Sequence, residues 1–256
     1  MASPTRILCV SDEVAPFTDA SDIARIVRTL PEQLQESGEF EVRILMPRYG
    51  TISERRNRLH EVIRLSGTEI TLGDRTETLK CKVASIPGIR LQVYFMDNKH
   101  YFKRKGIYKD KQGKLFEDNA ERGLFFARAT LETIRNLGWK PDVVHAFGWM
   151  SGFVPMYLRH VYASDPIYEG ARIFYTPLDV DFEAPVTDEL AAAEDLSKAA
   201  LKGKDAAAIG REAADTVILP PGVAPQDNEL VFEESEDEWL AQLSELYDQS
   251  LNEVAA

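Results

Sequence analysis

A strand-like run, an amphipathic helix and a second strand-like run follow one another within the first 47 residues, and few folds accept that order. Residues 6–14, RILCVSDEV, begin as the continuous apolar run of a strand buried on both faces. Between Asp22 and Ser37, Ile23, Ile26, Val27, Leu30 and Leu34 recur at helical spacing, and Gly38 stands where a left-handed residue would end the helix. EVRILMP, residues 41–47, is the second strand. Links this short fit a right-handed parallel crossover. The expectation is an α/β fold with a Rossmann-like, doubly wound, mainly parallel sheet.

From Leu59 to Met96 the pattern changes to LHEVIRL, TEITL, LKCKVASI and RLQVYFM, broken by Gly67, Gly73, Asp74, Pro87 and Gly88, which reads as an inserted β-meander. A helix is predicted from Asp118 to Leu137, with Gly138 as its stop, then a strand in PDVVHAF. A helix over 149–162, a strand over 171–175, an Ala-rich helical stretch over 188–214 and a strand over 216–219 complete residues 1–222 as one Rossmann-like unit. Residues 223–256 read as an acidic linker and a C-terminal helix. Ser235 to Glu238 has capping-box spacing, and Trp239, Leu240, Leu243, Leu246, Tyr247 and Leu251 share one face. That face needs a surface, either in this body or in a protein partner.

Charge narrows the function classes. After Arg211 there are twelve acids and no Lys or Arg, whereas the first 211 residues balance thirty acids with thirty bases. An acidic tail opposes nucleic-acid binding, and the only dense basic cluster, Lys103 to Lys114, reads as a solvated loop. No apolar run approaches membrane-spanning length and no signal-peptide pattern opens the chain, so no membrane association and a cytoplasmic location are expected. Cys9 and Cys81 lie in strand-like runs, and His60, His100, His145 and His160 are scattered, so no metal site is expected.

Residues 97–132, DNKHYFKRKGIYKDKQGKLFEDNAERGLFFARATLE, have the form D-N-x-x-Y-F-x-R-x-G-(I/L)-Y followed by D-N-x-E-R. SDEVAPF, PRYG, LGWKPDVVHA and AADTVILPP stand around this segment in a matching order. Together they resemble the N-terminal half of bacterial glycogen and plant starch synthases. The resemblance implies one half of a GT-B glycosyltransferase, transfer of glucose from ADP-glucose to an α-1,4-glucan, and no cofactor. It marks Glu13, Arg48, Tyr101, Asp118, Asn119, Arg122, His145 and Trp149 as candidate substrate-binding residues, with an α-glucan or malto-oligosaccharide as the ligand. Several have a structural alternative: Asp118 as a helix cap, Glu121 or Arg122 in an ion pair, Tyr101, Phe102 and Tyr108 as core, His145 as a hydrogen-bonded core histidine.

Departures from the family pattern fall at the donor site. Where the family reads A-K-T-G-G-L-G-D, this chain places Asp19 at the lysine, Ser21 and Asp22 at the two glycines and Arg25 at the acid. Carboxylates would repel a diphosphate, and side chains would fill space that backbone amides need; Asp19 or Ser21 would instead cap the helix. The family's H-A-H-D-W-H-T-G becomes His145, Ala146, Phe147, Gly148, Trp149, Met150, Ser151 and Gly152, and its T-I-H-N segment has no histidine or asparagine here. The family's second domain has no counterpart in the sequence. No catalytic residue is therefore assigned; the expectations are a glucan- or partner-binding pseudo-transferase, or an active transferase completed by a second domain in trans.

Overall fold

A computed structural model describes residues 3–193, 201–226 and 228–252. Strand β1 (Thr5–Ser11), helix α1 (Asp22–Ser37) and strand β2 (Phe40–Pro47) form the expected parallel crossover, with Cys9 opposite Ile44. Ile23, Ile26, Val27, Leu30 and Leu34 are all buried, and Gly38 ends the helix at φ 78°. The helix runs through Pro31 without ending.

The next segment holds helix α2 (Glu54–Asn57), strands β3 (His60–Glu61), β4 (Thr68–Leu72), β5 (Arg75–Ser85) and β6 (Gln92–Asp97). The predicted meander is present in β4, β5 and β6, whose neighbours pair antiparallel. LHEVIRL departs from expectation: only His60–Glu61 is strand, and Ile63–Leu65 is a 3₁₀ turn. β6 also pairs parallel with β2, so the insertion extends the main sheet. Helix α3 (Asn119–Leu137), strand β7 (Val143–Phe147), a 3₁₀ turn at Met150–Gly152, helix α4 (Phe153–His160) and strand β8 (Arg172–Thr176) follow. The expected Ala-rich helix is two pieces, α5 (Asp188–Ala193) and α6 (Ala206–Ala213); residues 194–200 lie outside the described set. Then come β9 (Thr216–Leu219), a short β10 (Leu230–Val231) that the sequence pattern did not disclose, and helix α7 (Glu236–Asn252).

Among the described residues the strands form one sheet in the order β10-β9-β8-β7-β1-β2-β6-β5-β3, with β4 attached to β5. The order reverses at β1, from which the chain winds first toward β2 and later toward β7, so right-handed crossovers place α1 on one face and α3, α4 and α6 on the other. In the second group Gly152 and Gly210 meet: a Cβ on Gly210 would lie 2.9 Å from the Gly152 Cα, and one on Gly152 would lie 2.2 Å from the Ala206 carbonyl oxygen.

The final helix settles where its apolar face goes. α7 packs on α1 and β8 of its own chain, with Trp239, Leu243 and Tyr247 fully buried. Gln33 Nε2 donates to the Glu236 carbonyl, and Arg25 pairs with the Glu236 carboxylate at 3.2 Å. No helix among the described residues is long and apolar enough to cross a membrane.

Candidate functional site

In an open parallel sheet, loops leaving the C-terminal ends of strands diverge where the strand order reverses, and a crevice opens there. A cavity of about 700 Å³ occupies that place. Its walls are Glu13 to Ser21 after β1, Gly106 to Lys109 from the long loop before α3, and Leu178 to Phe182 after β8. Tyr108 and Phe182, with ring centroids 5.2 Å apart, and the Phe17 ring supply apolar surface; Lys109 and Asp181, paired at 2.7 Å, bridge two of the walls.

Two carboxylates from the segment after β1 take up the polar backbone around this cavity. Glu13 accepts from the Ala20 amide at 2.8 Å and the Ser21 hydroxyl at 2.7 Å. Ser21 is the residue before α1, yet its side chain makes no cap bond, which replaces the expectation that it caps the helix; Asp19 lines the cavity instead. Asp12 is fully buried and accepts from the amides of Met150 (2.7 Å) and Ser151 (2.9 Å), the Ser151 hydroxyl (2.6 Å) and the Tyr108 hydroxyl. Burial pushes the pKa of both carboxyls above the usual carboxylate range, making them weaker acids; these donors oppose the rise, and at Glu13 the neighbouring Asp12 and Asp19 add to it. Gly148 makes the Asp12 arrangement possible: it sits at φ 98°, and a Cβ there would lie 2.7 Å from the Asp12 Cγ. Position 148, an acid in the family pattern, is here the glycine that leaves room for the Asp12 carboxylate.

Of the eight candidate binding residues, Glu13 alone lines the cavity. Most of the others build its wall from behind. Arg122 is buried in α3 and donates to the carbonyls of Tyr101 (2.9 Å) and Ile107 (2.6 Å) and to Asn119 Oδ1 (2.6 Å). Asn119 Nδ2 in turn donates to the Tyr108 carbonyl at 3.0 Å. These bonds tie the loop over 101–108 to the first turn of α3, and Arg122 makes no ion pair among the described residues. Asp118 does not cap α3 through its side chain; it receives two hydrogen bonds of 2.5 Å from Arg104. Burial works against the Asp118 carboxylate, but the Arg104 guanidinium outweighs it and holds the group below its usual range. Tyr101 is buried with its hydroxyl donating to Glu121 at 2.5 Å. Trp149 lies under Tyr108 and Phe182, with ring centroids 5.9 and 5.3 Å away. Arg48 pairs with Glu54 at 2.6 Å, beside the Lys82 link to Glu54 and Asp97.

His145 lies on the other side of β7, beneath α7. Its Nδ1 meets the Tyr247 hydroxyl at 2.8 Å, its Nε2 meets the Thr176 hydroxyl at 2.9 Å, and the Phe147 ring stacks on it at 3.9 Å. Burial pushes the imidazole well below its ordinary value, so it is neutral, and because Thr176 and Tyr247 are hydroxyls, each can donate or accept. The sequence pattern assigns no site role to Asp12, which figures only within SDEVAPF, to Lys109, which reads as part of a solvated basic loop, or to residues 178–182. Groups of three or more residues suited to holding a metal ion are absent among the described residues.

With this geometry in view, comparison with known proteins gives a consistent result. The starch synthase catalytic domain family model matches residues 6–207. A glycogen synthase of Chlorobium limicola is 43% identical over 172 residues, covering 67% of this chain and 35% of that protein. A glycogen synthase of Chlorobaculum tepidum is 39% identical over 172 residues with the same coverage. The chain thus spans about 35% of the length of these curated relatives. The catalytic domain of starch synthase IV from Arabidopsis thaliana, solved with ADP and acarbose, superposes with a TM-score of 0.69 at 22% identity, over 84% of this chain and 45% of that one. That likeness gives the fold, the N-terminal Rossmann-like half of a GT-B glycosyltransferase.

Proposed function

This chain belongs to the starch synthase catalytic domain family, and from that premise we propose that it is a glycogen or starch synthase-like protein of glucan metabolism. It binds an α-glucan or malto-oligosaccharide in the cavity at the C-terminal edge of the sheet, and by itself it does not take ADP-glucose in the family manner. Residues 1–222 are the catalytic-domain-like unit, and within residues 223–256 helix α7 straps it from behind.

The observation that carries this reading is the charge and occupancy of the cavity wall. Glu13, Asp19, Asp179 and Asp181 line it against one lysine, Lys109, which already pairs with Asp181. The Ala20 amide, on the segment where the family approaches the donor diphosphate, is held by Glu13. An added phosphate charge about 4 Å from one such carboxylate meets repulsion of about 4 kcal/mol at an effective dielectric of about 20. A neutral sugar meets acceptors for its hydroxyls and the rings of Tyr108 and Phe182 for its apolar face. Arg122, Asn119 and the Asp118–Arg104 pair act as positioning residues that hold the loop carrying Tyr108 and Lys109.

Calorimetric titration with maltoheptaose and with ADP-glucose tests this, beside incorporation of labelled glucose into glycogen. Saturable maltoheptaose binding with no ADP-glucose binding is expected. Tight ADP-glucose binding with turnover would overturn the pseudo-transferase reading. The preserved D-N-x-E-R wall favours one further arm: if turnover appears only when the C-terminal part of a relative is added, the chain is half of an enzyme completed in trans.

A further inference from the structure

A second cavity, of about 790 Å³, lies on the meander side of Phe17, whose ring also lines the first. Its charged lining is entirely cationic: Arg56 and Arg58 at the end of α2 and Arg90 on the turn between β5 and β6, with no Asp or Glu; His60 of β3 also lines it. The first 211 residues balance thirty acids with thirty bases, so a lining of arginines without an acid is a local excess of positive charge. Arg48, Arg104 and Arg211 each have a carboxylate partner, but Arg56, Arg58 and Arg90 form no ion pair and no side-chain hydrogen bond with any described residue. Glu32 and Glu36 line a depression on the far side of the Arg90 turn; Glu32 is paired with Arg28, and neither forms an ion pair with Arg90. Arg58 is held at φ 52°, left-handed backbone that glycine or asparagine adopts more cheaply, so an arginine stands where local geometry does not ask for one.

We propose that this cavity is a binding site for an organic phosphate monoester, with Arg56, Arg58 and Arg90 holding the phosphate. Guanidinium groups present forked N–H donors that match tetrahedral oxyanions, and three unpaired ones concentrate positive potential at one mouth. The cavity far exceeds the volume of a bare phosphate, and Val83, Ala84 and Ile86 give it an apolar wall, so the phosphate is borne on a larger body. A free sugar phosphate and a phosphate group on a glucan share this chemistry. The site is separate from the sugar cavity and does not depend on it.

Titration of the whole chain with inorganic phosphate, a hexose monophosphate, a phosphorylated malto-oligosaccharide and the neutral oligosaccharide tests the assignment. At least one phosphate ester is expected to bind saturably and about tenfold more tightly than inorganic phosphate, with affinity that falls as salt is raised. Arg56→Ser and Arg90→Ser, at exposed positions, are each expected to weaken that binding about tenfold with unchanged melting temperature and unchanged binding of the neutral oligosaccharide. Tighter binding of the phosphorylated oligosaccharide than of the hexose phosphate identifies the polymer as the source; equal or weaker binding identifies the free sugar phosphate. Failure of both esters to saturate by about 10 mM, or binding that survives both substitutions, overturns the proposal. A neutral oligosaccharide that binds without the esters leaves the first cavity's reading intact and removes only this one.

Discussion

Lowering the pH from 7.5 to 5.5 should make His145 a destabilising contribution to the fold. The ring is fully buried between Tyr247 and Thr176, and burial holds it neutral well below its ordinary value of 6.5, whereas the unfolded chain leaves it free to take a proton. The unfolded state therefore binds more protons as the pH falls through 6.5, and stability is full above that value and declines below it. Between pH 7.5 and 5.5 the loss from this one group is about 1.4 kcal/mol, about half of what a full proton taken up over both pH units would give. The buried carboxyls Asp12 and Glu13 act in the opposite direction, because a raised folded value favours the protonated fold as pH falls. The whole chain's slope is thus a sum, and the informative quantity is a difference. Urea unfolding at both pH values, for the parent and His145→Gln, should show the variant less stable at pH 7.5 but with the pH loss reduced by about 1.4 kcal/mol. Equal pH slopes, or a His145 ring proton signal in the parent that titrates near 6.5, would refute the reasoning.

Arg122→Met should leave the carbonyls of Tyr101 and Ile107 without donors and cost about 3 kcal/mol, read as a lower thermal midpoint and faster proteolysis within 101–117. Gly210→Ala places a methyl 2.5 Å from the Tyr175 ring and 2.9 Å from the Gly152 Cα and should cost at least about 2 kcal/mol by the same melting assay; a neutral result would mean the two helices separate freely. Asp118→Asn should flatten the acid limb of the stability curve, because the Arg104-paired carboxylate adds stability above its ordinary value that is lost as pH falls through its lowered one. Deleting residues 228–256 uncovers Phe174 and His145 and should cause aggregation, seen by light scattering; an unchanged melting temperature and association state would contradict the packing of α7.

The fold was legible because long periodic segments carry their own evidence. Helix α1 begins and ends where its apolar spacing and Gly38 place it, and Pro31 within it did not break it. β10 was hidden because two residues carry no periodicity, and LHEVIRL misled because its apolar residues pack from a 3₁₀ turn as readily as from a strand. At the site, the motif residues mark the wall rather than its surface. Arg122 and Asn119 are spaced for the loop they hold, whereas Lys109, Asp181 and Phe182 meet only after the chain has crossed the sheet. Asp12 reads as one acid among many until Gly148 shows that room was left for it.

The contact between Gly152 and Gly210 bears on how this molecule can move. Helices that meet through side chains can slide as rotamers change, but here backbone lies against backbone and against the Tyr175 ring, with nothing between to rearrange. The region of α4 and α6 should behave as one stiff plate. A ligand entering at the sheet edge must then be accommodated by the loops over 101–117 and 177–182, which the Lys109–Asp181 pair joins.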